Sequence, residues 1–147
     1  MKKIQIREAL ISEMIAVADM VPELGATPRE DAYRETIGDK PQLFLLAEVD
    51  GKPAGFKVGY ELDGFWFSWL GGVHPGFRRM GIARALADRQ DEWARNQGYS
   101  HVTFKTINRL RGMLKFGIDR GFNIIKIDKE PGKPEEVEYR IWLRREL

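Results

Sequence analysis

Two Asp-Gly pairs, Asp50-Gly51 and Asp63-Gly64, separate three largely apolar runs, and no other feature narrows the fold of this chain as much. Asp-Gly between such runs favours the two-residue turn whose backbone follows the twist of the strands it joins. Gln42 to Val49, Ala54 to Leu62 and Phe65 to Val73 therefore read as three consecutive strands of an antiparallel meander. Ile4 to Ile6 is a short alternating strand ahead of them. Two helices are predicted between: Ser12 to Met20, with Ser12 as N-cap and Pro22 beyond its end, and Pro28 to Ile37, with Thr27 as N-cap and Pro28 in the first position.

The pattern changes after Val73. From Gly81 to Gln97, Ile82, Ala83, Leu86, Ala87, Trp93 and Ala94 share one helical face, and Gly98 ends the helix. A strand over His101 to Thr106, a helix over Leu110 to Arg120 closed by Gly121, and strands over Phe122 to Ile127 and Glu136 to Leu143 follow, with Pro131-Gly132-Lys133-Pro134 as the turn between the last two. A meander feeding this alternation predicts one α/β (α+β) domain over residues 1–147. Its mixed, mostly antiparallel sheet has about six to seven strands and is flanked by about four helices.

Composition removes several chemistries. The chain has no cysteine, which excludes disulfide scaffolds, thiolate metal sites and a Cys nucleophile, and no metal is expected. It has no 7–15-residue apolar stretch for a secretory signal and none of the ~18 residues a membrane span needs, so a cytoplasmic protein without membrane contact is expected. The length leaves no room for a second catalytic domain.

The stretch Gly71-Gly72-Val73-His74-Pro75-Gly76-Phe77-Arg78-Arg79-Met80-Gly81-Ile82-Ala83 carries the most chemistry. A strand ends at Val73, Pro75 forbids its continuation, and a long helix opens at Gly81. Free N–H groups and partial positive charge at a helix N-terminus can hold a phosphate, and small residues at Gly81 and Ala83 let the amides approach it. Arg78 and Arg79 can add charge-assisted bonds. The bland alternative is an ordinary strand-to-helix connection with solvated arginines. Neither G-x-x-x-x-G-K-[ST] nor a strand-to-helix G-x-G-x-x-G occurs, so nucleotide hydrolysis and dinucleotide oxidoreduction lack their motifs.

Arg78-x-x-Gly81-x-Ala83 after a V-x-P strand end resembles the R/Q-x-x-G-x-G/A signature of the GCN5-related N-acetyltransferases, the GNAT superfamily. Trp93-Ala94, Gly98-Tyr99, Asn108, Gly121-Phe122 and the element order extend the resemblance over nearly the whole chain. It implies transfer of an acetyl group from acetyl-coenzyme A directly to a primary amine, through a ternary complex. It also implies that the pyrophosphate of acetyl-coenzyme A sits on the amides of Arg78, Arg79, Met80, Gly81, Ile82 and Ala83. The pantetheine arm would pair like an extra strand with Leu70, Gly71, Gly72 and Val73, where the two glycines suit close backbone approach. Asn108 matches an asparagine that contacts the arm in the family, and it equally suits a helix N-cap.

Two departures stand out. Family members often place a tyrosine four residues before the Gly-Phe pair, where its hydroxyl protonates the departing thiolate. That position is Gly117 here, after Phe116, and Leu110 to Phe122 contains no tyrosine. No general base is obvious either. Glu48 and Glu61 are candidates that equally read as solvated strand faces, Ser68 can only hold a water, and His74 reads better as a structural group than as a base. Of the aromatic run Phe65, Trp66, Phe67 and Trp69, most is core, while one face including Trp66 and Ser68 is a candidate acceptor lining.

An acyl-coenzyme A-binding module without catalysis is the alternative. A nucleic-acid domain using Arg78, Arg79, Arg109, Arg111 and Lys115 is less favoured, because no recognised motif accompanies these residues. The acceptor is a small-molecule or peptide amine, and homodimerisation is left open. The net charge of +2 conceals a split: residues 78–120 hold ten Lys/Arg against four Asp/Glu, and residues 1–77 hold eight against twelve. Asp19, Glu23, Glu30, Asp31, Glu35 and Asp39 belong to the acidic part, around the expected acceptor entrance, so a cationic amine is favoured.

Overall fold

A computed structural model describes residues 2–129 and 139–147. In chain order the elements are β1 (Ile4–Glu8), α1 (Ile11–Ala18), α2 (Glu30–Ile37), β2 (Gln42–Val49), β3 (Lys52–Leu62), β4 (Phe65–Val73), α3 (Ile82–Asn96), β5 (His101–Ile107), α4 (Arg111–Asp119), β6 (Asn123–Lys129) and β7 (Tyr139–Glu146). The seven strands form one sheet in the order β1-β2-β3-β4-β5-β7-β6. Each neighbouring pair is antiparallel except β4 and β5.

Both Asp-Gly turns form as read. Asp50 and Gly51 have φ of 49° and 80°, and Asp63 and Gly64 have 50° and 84°, the two left-handed residues in sequence that this hairpin turn requires. The sheet divides two apolar layers. Trp66, Ile82, Leu86, Val102 and Phe104 pack on the side of α3, while Met14, Val17, Tyr33, Phe56 and Phe67 pack on the side of α1 and α2.

Both early helices start elsewhere than their sequence predicts. The N-cap of α1 is Leu10, not Ser12; the Glu13 carboxylate accepts the Leu10 N–H at 3.0 Å and caps the turn without a serine. The N-cap of α2 is Arg29, not Thr27, so Pro28 lies outside the helix. The Thr27 hydroxyl instead donates to Asp19 at 3.1 Å, and Arg29 pairs with the same carboxylate at 2.5 Å. Phe122 precedes β6 and packs edge-on against Phe104, ring centres 4.9 Å apart. The expected turn at Pro131-Gly132-Lys133-Pro134 and the expected strand start at Glu136 lie outside the described residues.

Candidate active site

β4 lies beside β3 over its whole length but pairs with β5 at only two positions, Trp66 with Val102 and Phe67 with Thr103. From Ser68 onward the two parallel strands diverge, and the β5-facing edge of β4 has no strand partner among the described residues. Opposite it, β5 runs fully paired with β7, so the opening lies between two strands that are each supported from behind.

A bulge sets which residues face this opening. Val58 pairs with Leu70 and Gly59 with Ser68, leaving Trp69 as the extra residue. Its ring packs edge-on against Tyr33 and Tyr60, at 5.2 and 5.6 Å. Beyond the bulge, Gly71 and Gly72 stand on opposite faces. A Cβ on Gly72 would meet Val21 at 3.0 Å, and one on Gly71 would lie 3.4 Å from the Lys57 ammonium and 3.3 Å from the Phe56 carbonyl.

The opening continues as a groove of about 860 Å³ to the start of α3. Gly71, Gly72, Val73, Arg78, Arg79, Gly81, Ile82 and Ala83 all line it, so the structure brings most of the expected cosubstrate residues together. Leu70, Met80 and Asn108 are not among the lining residues. Leu70 packs toward the α1–α2 layer and Met80 toward the α3 layer. Asn108 is not the cap of α4, which is Leu110; its side-chain oxygen accepts the Tyr139 N–H at 3.2 Å and anchors the start of β7.

Between β4 and α3 the chain makes one 3-10 turn at Pro75–Phe77. His74 Nδ1 accepts the Gly76 N–H at 2.9 Å, which stiffens that turn. Arg79 has φ of 62°, a left-handed conformation costing an ordinary residue about 1 kcal/mol, and Gly81, at φ 81°, is the N-cap of α3. The Ala85 N–H closes the first helical turn onto Gly81 O at 3.0 Å, so the N–H groups of Ile82, Ala83 and Arg84 have no intrahelical acceptor. Arg78 crosses the mouth: Nη2 is 2.5 Å from Glu23 Oε2 and 3.3 Å from the Val73 carbonyl.

None of the three candidate proton-transfer residues is among those lining the groove. Glu48 pairs with Arg7 at 3.0 Å, next to the Arg7–Glu13 pair. Glu61 is beside Tyr99, whose hydroxyl is pushed up to about 12 by burial and by that carboxylate. Ser68 is 7% exposed and opposite Gly59. Trp66 is fully buried, against Trp93 and Tyr99 at 4.8 and 5.3 Å, so it is core and not acceptor lining.

Sequence reading missed Lys57. It lines the groove, and its ammonium is pulled down to about 8 by loss of water; Asp91 partly offsets this and Arg120 adds to it. Counting back from the Asp63-Gly64 turn pairs Lys57 with Leu70, but the bulge moves its partner to Gly71. Only the bulge, which no residue pattern announces, reveals the neighbourhood.

The fold is a three-layer α/β domain whose sheet opens at its parallel strand pair, beside a glycine-capped helix start. Residues 7–118 match the Acetyltransferase (GNAT) family, and the chain belongs to that family. It is 44% identical over 66 residues to an acetyltransferase of Pectobacterium atrosepticum. That match covers 44% of this chain, which spans about half the length of the relative, 45%. The ribosomal-protein-S18-alanine N-acetyltransferase from Escherichia coli has a similar fold, with TM-score 0.83 at 16% identity over 98% of this chain and 94% of that one. A GNAT family acetyltransferase from Elizabethkingia anophelis, solved with acetyl-CoA bound, has TM-score 0.77 at 24% identity over 98% of both chains. Among the described residues no helix is long and apolar enough to cross a membrane, and no cluster of His, Asp and Glu could hold a metal ion.

Proposed function

We propose that this chain transfers the acetyl group of acetyl-coenzyme A directly to a primary amine in a ternary complex. The open edge of β4 from Ser68 to Val73, running straight into the amide-rich start of α3, carries this reading. An arm bearing amides can add to such an edge as an extra strand. The edge fits that occupant, because beyond Phe67 its β5-facing side has no strand partner among the described residues. Acetyl-coenzyme A would supply an acetyl thioester, an acyl donor with a thiol leaving group.

The roles of the chain follow from position. The Leu70 to Val73 edge would align the arm, and an N–H from Leu70 to Gly72 would polarise the thioester carbonyl. The N–H groups of Ile82, Ala83 and Arg84, with Arg78 and Arg79, would hold the diphosphate. A lysine-like amine has a pKa of about 10.4, so freeing its lone pair at pH 7 costs roughly 4.6 kcal/mol. Among the described residues Glu23 is the one carboxylate lining the groove, and it is engaged by Arg78. The amine's proton would therefore leave to water at the mouth.

A cationic acceptor remains our reading of the acidic α1–α2 side. Asp19, Glu23 and Glu30 are spent on Arg29, Arg78 and Arg34, so the attraction rests on the exposed Asp31, Glu35 and Asp39. Exposed Ile124, Ile125 and Ile127 on the edge strand β6 support pairing with a second copy. Cytoplasmic residence belongs to the same proposal. Titration calorimetry tests the donor site: the wild type binds acetyl-coenzyme A, and Gly81→Glu, whose Cβ enters open space next to the diphosphate position, weakens binding at least about tenfold. No binding by the wild type, or unchanged binding by the variant, would overturn the reading.

A further inference from the structure

We propose that Lys57 is the acid that protonates the departing coenzyme A sulfur, in place of the tyrosine that α4 lacks. The inference rests on the acetyl-transfer reading above, and it begins from the helix that ought to supply the acid. Gly117 of α4 has no space for any side chain, since a Cβ there would come within 2.5 Å of the Phe104 ring. Its neighbour Phe116 lines the groove and has no proton to give. The helix start, the loop and the strand edge provide amides and guanidiniums, none of which releases a proton near neutrality.

Lys57 occupies the vacated role from the adjacent strand. It is opposite Gly71 in the β3–β4 register, with its ammonium near the position a Gly71 side chain would take. That is the segment of β4 whose N–H groups would face the thioester carbonyl. Among the described residues the ammonium makes no hydrogen bond or ion pair, so its protons are uncommitted. The charged groups acting on it are Asp91 from α3 and Arg120 from the end of α4. Asp91 is bonded in turn to Arg120 and to Arg145 of β7, and Arg120 also pairs with Asp88. This paired network leaves Lys57 as the mobile proton of the groove. Its titration near 8 is close to the ordinary thiol value of about 8.5, the match that makes proton transfer to sulfur efficient.

The step balances. The amine nitrogen bonds to the acetyl carbon, and the carbon–sulfur bond breaks with its electron pair on sulfur. A proton passes from Lys57 Nζ to that sulfur, giving the thiol and a neutral lysine. Water returns a proton to Lys57 and accepts the surplus proton of the amine.

Two equilibrium measurements with coenzyme A itself test the assignment without an acceptor. The first follows thiolate absorbance of bound coenzyme A against pH. In the wild type the thiol should titrate at least one unit below its value in Lys57→Met, a tenfold difference in acid dissociation. Lys57→Gln serves as a second variant in case methionine narrows the slot. The second follows the Lys57 ε-carbon resonance, which should move to higher pKa by a similar amount when coenzyme A binds, because linkage is reciprocal. Coenzyme A bound with the same thiol titration in all three proteins, or a Lys57 titration that ignores it, would overturn the role of Lys57 alone. Failure of the wild type to bind coenzyme A would overturn the acetyl-transfer reading and this step with it.

Discussion

The two halves of β4 are built from one continuous strand and differ in almost every physical respect. At Trp66 and Phe67 the strand is paired on both edges and buried on both faces, and Trp66 fills the α3 layer against Trp93 and Tyr99. From Leu70 to Val73 one edge is open, the residues are only partly buried, and glycines replace aromatics. The bulge at Trp69 is the boundary. One half fixes the position of the strand, and the other can then leave amides unpaired at a defined place, which is the general way a rigid scaffold holds a binding edge.

The first way to break this contrast is to attack the closed half. Trp66→Ala should cost about 3–5 kcal/mol, since it empties a fully buried aromatic site. Urea unfolding measures it, and a loss under about 1 kcal/mol would mean that the closed half does not carry the scaffold.

The open half should behave in the opposite sense. Lys57 has a folded-state value of about 8, below its unfolded value of about 10.4, so the unfolded chain holds that proton more tightly. Its charge therefore weakens the fold in full below about pH 8, and the penalty fades as pH rises toward 10.4. Lys57→Met should stabilise the protein by about 1–3 kcal/mol at pH 7, with the gain shrinking by pH 10. Equal stabilities at pH 7 would show that the ammonium is not desolvated. A groove that gains stability when its charge is removed would show the trade of stability for function that the proposed role of Lys57 entails.

Smaller effects sharpen the same line. Arg78→Ala should change stability by under about 1 kcal/mol, because its pair with Glu23 is largely exposed. It should weaken acetyl-coenzyme A binding about tenfold in calorimetry, and an unchanged affinity would remove Arg78 from the diphosphate site. Far from the groove, Glu13 is held down at about 2 by Arg7 and by the Leu10 N–H. Its contribution is present above the unfolded carboxylate value of about 4.3 and is lost as pH falls through 2. Glu13→Gln should flatten the acid side of a thermal-stability profile between those values while leaving coenzyme A binding in place; an unaltered acid profile would contradict the pairing.

The meander was legible because Asp-Gly turns have one favoured geometry, and both adopt it. The glycine-capped loop was legible because Gly81 precedes an amphipathic run with nothing else able to cap it. Helix starts that depend on a carboxylate reaching back, as Glu13 does, or on a hydroxyl drawn away, as Thr27 is, do not follow from the identity of the expected cap. The candidate groove was legible only in part. Chain order gave the loop and the strand edge. The surroundings of Glu48, Glu61 and Lys57 depend on which strand pairs with which and on a one-residue bulge, neither of which is written locally.

Amide hydrogen exchange with and without acetyl-coenzyme A tests the central claim most directly. The account predicts added protection confined to Leu70–Val73 and to Gly81–Arg84, with the paired β2 strand unchanged. Binding that leaves both segments exchanging as in the free protein would contradict it.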